Sequence, residues 1–167
     1  MKYKPFLILL VMSACDGYFP AWAEEISTSM PVSVRVLPVA SVTVTHMFFG
    51  SFTRDMTTVR GRAAVTVSLA PGLPYFIAIS AGMHYADGWR NVENSGFMAR
   101  YVLSQESGAE WGDGDFVGSY PQGGSVGGRG AGSAQYYNVR GELLVSSLAA
   151  NAPIGAYQDV LLVTVYY

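Results

Sequence analysis

Apolar and polar residues alternate with period two over several stretches of this chain. Near the N-terminus Met30, Val32, Val34 and Val36 alternate with Ser29, Pro31, Ser33 and Arg35. That pattern is the signature of a half-buried strand. Pro31 has no N–H to donate, which favours an edge position or the start of a strand. Two readings follow. The stretch is either an ordinary first strand or a detachable one, tethered at Pro38, that docks onto another molecule. Strand patterns return at residues 39–45, 63–69, 75–80, 97–104 and 134–145. Gly50 and the run Pro71-Gly72-Leu73-Pro74 punctuate them as turns. The order predicts a hairpin from 63–69 and 75–80. It also predicts an exposed connection over 53–62, a polar loop over 81–96 and an irregular stretch over 105–132.

The C-terminal stretch is the most apolar strand candidate. One face carries Val160, Leu162, Thr164 and Tyr166, and the other Leu161, Val163, Val165 and Tyr167. Both faces are largely apolar, so such a strand is covered on one side and flanked within its sheet. The expected neighbour is a segment from another copy of the chain. About seven short strands, separated by Gly/Pro turns and without helical periodicity, predict an all-β antiparallel sandwich.

Composition sharpens this picture. The 167 residues are 50% hydrophobic and 13% charged, enough for a single domain with a sizeable core. A formal charge of −2 gives no nucleic-acid footprint. The N-terminus reads as an export signal over residues 1–23. Lys2 and Lys4 precede an apolar run, and Ala21-Trp22-Ala23 precedes Glu24-Glu25. A competing reading takes Met12-Ser-Ala-Cys15 as a lipoprotein box, lipidated at Cys15. Cleavage after Ala23 removes the single Cys, so the mature chain can form no disulfide. It also removes Lys2, Lys4 and Asp16, leaving eight Arg against eleven acids, a net charge of −3. With no Lys left, a Lys-based covalent linkage between subunits is excluded.

Candidate chemistry is sparse. His46 and His84 are far apart in sequence, and neither has a neighbouring ligand pair. Asp113-Gly-Asp115 lacks the remaining spaced oxygen ligands of a calcium loop and reads as a tight turn. The Gly-rich run 123–130 lacks the Lys-Ser/Thr of a phosphate loop and reads as a flexible loop. Trp89 and Trp111 in loops could stack on a sugar or act as core lids. Nothing calls for a cofactor, a metal or catalysis.

Several motifs in order carry a resemblance. Trp111-Gly-Asp-Gly114 follows a strand and precedes the Gly-rich loop. A strand with Val139-Arg140-Gly141 comes next, and Ile154-Gly-Ala-Tyr-Gln-Asp159 runs into Val163-Thr-Val-Tyr-Tyr167. Phe49-Gly50, Pro74-Tyr75 and Ser80-Ala-Gly82 fall at the corresponding earlier places. Together they resemble the spore coat protein U domain, the subunit domain of Csu-type archaic chaperone–usher pili, over essentially the whole mature chain. The resemblance implies an incomplete immunoglobulin-like sandwich that lacks its last strand and is completed by a donor strand. A periplasmic chaperone lends that strand during export. At the outer-membrane usher, the N-terminal extension of the next subunit replaces it.

Read this way, residues 24–38 are the donor extension, with Met30, Val32, Val34 and Val36 as its inserted side chains. Residues 39–167 form the domain, and Val160, Leu162, Thr164 and Tyr166 belong to the strand lining the acceptor groove. The implied function is a non-enzymatic fibre subunit that passes through the periplasm to the cell surface and supports adhesion or biofilm formation. One departure stands out. Family members commonly link the first strand to the first strand of the hairpin by a disulfide, where this chain has Ser41-Val42 and Ser68-Leu69. Two rival functions share the fold: a surface or periplasmic binding module using the loops around Trp89 and Trp111, and a lipoprotein anchored at Cys15 that does not polymerise.

Overall fold

A computed structural model describes residues 31, 33, 40–116 and 118–167. The expected signal segment 1–23, Cys15 and the alternating Met30, Val32, Val34 and Val36 lie outside the described residues. Among those described there are eight strands: β1 Ser41–Val44, β2 Thr58–Ser68, β3 Pro74–Ile79, β4 Arg90–Asn94, β5 Phe97–Ser104, β6 Val126–Arg129, β7 Ala134–Leu144 and β8 Val163–Tyr166. A single 3-10 turn, Val145–Ser147, follows β7. The strands form two antiparallel sheets. The larger has the order β1-β2-β7-β5-β4, and the smaller β6-β3-β8.

The period-two pattern explains which side chains meet. Val65 and Val67 of β2, Val139 and Leu143 of β7, and Ala99, Tyr101 and Leu103 of β5 face inward from the large sheet. They form one core cluster with Tyr75, Ile77 and Ile79 of β3 and with Trp111. The sandwich architecture is therefore as the alternation predicted. Trp111 closes the core from a loop. It is 1% exposed, and its indole Nε1 donates to the Ile77 carbonyl at 3.0 Å.

Four expectations are corrected. The Gly-rich run 123–130, expected as a flexible loop, contains β6, which pairs with β3. The segments 63–69 and 75–80 do not form a hairpin: β2 pairs with β1 and β7, whereas β3 pairs with β6 and β8. The Pro71–Pro74 turn carries the chain from one sheet to the other. The expected exposed connection 53–62 becomes strand from Thr58 onward, because β2 pairs with β7 along its whole length. Arg60 and Arg62 read as loop residues, yet they occupy the solvent face of that strand. Finally, the polar loop 81–96 contains β4, which joins β5 through Ser95 (φ 54°) and Gly96 (φ 82°). Two successive positive φ angles make this a tight hairpin turn of the type that matches strand twist.

Candidate functional site

Among the described residues, β1 and β8 each pair on one side only, with β2 and β3 respectively. Both therefore present an unpaired edge of N–H and C=O groups, a template for a further strand. A cleft of about 1250 Å³ opens beside them and touches β1 at Val44 and β8 at Val163. One rim is the stretch that follows β1, residues 44–54, and the other is the stretch leading into β8, residues 153–163. The floor consists of buried core side chains, among them Val65, Ile79, Tyr101, Leu103, Val139 and Leu143. The cleft thus reaches the hydrophobic core itself. Its volume exceeds the roughly 300–1,000 Å³ of small-molecule pockets.

The rims hold apolar side chains in water. Phe48 is 72% exposed, Ile154 99% and Val160 63%. The first rim is anchored by packing: Phe49 and Met47 lie over the paired glycines Gly61 and Gly141 of β2 and β7. Phe49 also contacts the Tyr101 ring, with centroids 6.1 Å apart. Arg54 ties this rim to the segment just before the other by donating to the carbonyls of Ala150 and Ala152.

The terminal strand presents a face that differs from the one expected to line the groove. Of Val160, Leu162, Thr164 and Tyr166, only Val160 lines the cleft. Leu162 is 68% exposed, and Tyr166 stacks on Phe116 with ring centroids 4.3 Å apart. The alternate residues Leu161, Val163 and Val165 pack against the core. The register sets this. Val163 pairs with Ile79 and Val165 with Ile77, and directly opposite residues share a face. Because Ile77 and Ile79 are buried, their partners must also point inward.

The other candidate sites are absorbed by the fold. Buried Trp111 offers no sugar platform, and Trp89 has Arg100 at 5.5 Å from its ring centroid. Asp113 caps its own turn: Tyr120 N donates to Oδ1 at 2.5 Å and Ser119 Oγ donates to Oδ2. Asp115 accepts from Ser125 N and Oγ, which holds its carboxyl below the usual carboxylate range. Gly123-Gly-Ser125-Val-Gly127 has the spacing of a nucleophile elbow. Its Ser125, however, leads into strand β6 rather than a helix. No cluster of three or more metal-ligating side chains occurs among the described residues. His46 lies on the cleft rim, and His84 bonds to Asp159.

Comparison with known proteins points the same way as the geometry. Residues 26–164 match the family described as SCPU, Spore Coat Protein U domain. A similar solved structure is a chain from the CsuC–CsuE chaperone–tip adhesion subunit pre-assembly complex of the archaic chaperone–usher Csu pili of Acinetobacter baumannii. The two share their fold with a TM-score of 0.55 at 17% identity. The match covers 79% of the present chain and 40% of the other, so this chain spans less than half the length of that neighbour. No curated protein matches the sequence.

Proposed function

The chain belongs to the Spore Coat Protein U domain family, and on that premise we propose that it is a structural, non-enzymatic subunit of a chaperone–usher pilus that polymerises by donor-strand exchange. The observation that carries the reading is the apolar-floored cleft bounded by the stretches that follow β1 and lead into β8, two strands with an unpaired edge among the described residues. An extended segment laid there would bond to both edges through its main chain, and alternate side chains would drop onto the core. Residues 29–36 have the required alternation, with Met30, Val32, Val34 and Val36 as the inserted side chains.

Magnitudes support the fit. Burying each of these side chains is worth roughly 1.5–3 kcal/mol, or about 6–12 kcal/mol for the four. Association costs an estimated 4–15 kcal/mol in lost freedom. Side-chain burial alone therefore comes close to balance, and the two edges of main-chain hydrogen bonds decide the outcome. The extension of one copy fills the cleft of another, so the contact is head-to-tail and does not close, which makes a fibre. A periplasmic chaperone occupies the cleft before assembly, and an outer-membrane usher exchanges its strand for the next subunit's extension. The finished fibre at the cell surface supports adhesion or biofilm formation.

The substitution Val34→Asp tests this. It places a charge where an apolar side chain meets the core, while leaving residues 40–167 untouched. Expressed with its chaperone and usher, this variant is expected to fold and reach the periplasm but to enter no fibres. Normal fibres from Val34→Asp would overturn the reading.

A further inference from the structure

One rim of the cleft is held by a side-chain anchor that its proposed role as a strand acceptor does not by itself explain. Residues 158–162 cross between the two sheets. Glu93 at the outer edge of β4 exchanges both backbone hydrogen bonds with Gln158, at 2.9 and 3.0 Å. A few residues later Ser80 N, just past β3, donates to the Leu162 carbonyl at 2.9 Å. The segment thus begins on the large sheet and ends on the small one, and Asp159 sits at the crossing.

The Asp159 side chain is 2% exposed. A buried carboxylate is costly unless it is hydrogen-bonded, and this one is well supplied. Its Oδ1 accepts from Met83 N at 2.9 Å, His84 N at 3.1 Å and His84 Nδ1 at 3.1 Å. Its Oδ2 accepts from the Tyr101 hydroxyl at 2.5 Å. The donors come from the loop after β3 and from β5, so one carboxylate joins both sheets to the rim. The other ring nitrogen of His84 lies 3.8 Å from Glu93 Oε2, extending the connection to β4. Gly82 completes the arrangement. Its φ is +91°, and a Cβ there would overlap Asp159 Oδ2. The two sequence motifs Ser80-Ala-Gly82 and Tyr157-Gln-Asp159 are therefore two halves of one device.

We propose that Asp159 is the positioning residue of the acceptor cleft, an anchor that fixes the rim 156–163 in its open, strand-ready geometry before the partner arrives. The inference rests on the pilus-subunit reading of the cleft. Its physical basis is preorganisation. A rim free to collapse onto the apolar floor would leave only a fraction of molecules competent to bind, and apparent affinity falls by that fraction. A rim held by four charge-assisted or neutral hydrogen bonds avoids that loss.

The test uses the mature chain, residues 24–167, and a fluorescent peptide of residues 26–38, with capture followed by anisotropy. The chain's own extension competes in the same way for every variant. Asp159→Asn keeps the shape but weakens the acceptor, and Tyr101→Phe keeps the ring and removes one donor. Far-UV circular dichroism reports the folded fraction of each. The expected result is an association rate about tenfold slower for Asp159→Asn and several-fold slower for Tyr101→Phe. The dissociation rate stays within twofold, and the dichroism spectrum is unchanged. A purely structural role would instead lower the folded fraction and leave capture by the folded molecules normal, which would overturn the proposal. Equal capture by wild type and both variants would overturn it too, while leaving the pilus reading standing. A wild-type chain that captures no peptide would overturn that reading and this proposal with it.

Discussion

Arg90 is buried and forms no ion pair among the described residues. Its guanidinium donates to the carbonyls of Ile79, Ser80 and Trp111 and lies 3.8 Å from the Tyr120 ring centroid. Burial lowers its pKa from the ordinary value, although Tyr101, Tyr120, Glu110 and Asp113 nearby oppose the shift. Arg90→Met would strip three carbonyls of their donor. A loss of about 3–5 kcal/mol is expected, read as a lower urea midpoint. The neighbouring tyrosines give a second prediction. Burial is the first cause that raises the Tyr75, Tyr101 and Tyr120 hydroxyls above their ordinary value of 10.0. An acid whose pKa is raised on folding holds its proton in the native state after the unfolded chain has lost it. Its stabilisation is therefore complete below about pH 10 and is lost as pH rises further. In an absorbance titration at 295 nm these three rings should ionise only as the protein unfolds. Early ionisation of all tyrosines, with the fold intact, would contradict their burial. A third prediction concerns Gly61, where an added Cβ would lie 2.9 Å from Met47 Sδ and 3.0 Å from the Phe48 carbonyl. Gly61→Val is expected to cost about 1–3 kcal/mol by overpacking and to push out the first cleft rim. Its checks are a denaturant melt and slower peptide capture. Little of this was legible in the sequence. Arg90 lies in a polar stretch that reads as loop, and only the fold shows that carbonyls from β3 and the Trp111 loop converge on it. Trp111 was legible as either a sugar platform or a core lid, and only the fold shows that it is buried.

At the scale of elements, the strand-like stretches identified β1, β5 and β7 within a residue or two; β5 and β7 each have one buried and one solvated face, whereas all four residues of β1 are exposed. The pattern gave no sign of β4 or β6. β4 is Arg-Asn-Val-Glu-Asn, and β6 is Val-Gly-Gly-Arg, whose glycines lie against Phe76, Tyr75 and Tyr137. Their strand geometry comes from neighbours rather than from propensity. The Pro71–Pro74 turn was legible as a turn but not as a change of sheet, since a turn signal does not say which edge the next strand joins. For β8 the period was legible and the inward face was not. With both faces apolar, only the register against Ile77 and Ile79 fixes which alternation points to the core. Register also bears on the missing disulfide. Ser41 and Ser68 are direct partners in the β1–β2 ladder. Opposed residues of an antiparallel pair lie about 4.5–5.5 Å apart at Cα, within the range a disulfide spans. The double substitution Ser41→Cys and Ser68→Cys should therefore oxidise readily and stabilise the domain by about 3 kcal/mol. Failure to form the bond, tested by thiol titration after mild oxidation, would contradict this register.

For the whole molecule, the decisive feature is that two sheets pack over one core yet leave a cleft beside β1 and β8, with apolar rims exposed to water. A donor strand that fills it would pair both edges, cover the floor and link the subunit to its neighbour. The resemblance named the family from motifs in order, and the match over residues 26–164 shows that family. Hydrophobic pattern alone could not have located the cleft, because each rim reads as an ordinary apolar stretch and only the fold sets them side by side. The most direct test is a thermal melt of residues 39–167, released from a chaperone complex, with and without a peptide of residues 26–38. A Val34→Asp peptide serves as the control. At a peptide concentration about a hundred times its dissociation constant, linkage gives about 2.7 kcal/mol, or a rise of roughly 10 °C for a domain of this size. The account predicts that rise with the native peptide and little change with Val34→Asp. A domain that melts at the same temperature under all three conditions, already stable and monomeric, would contradict it.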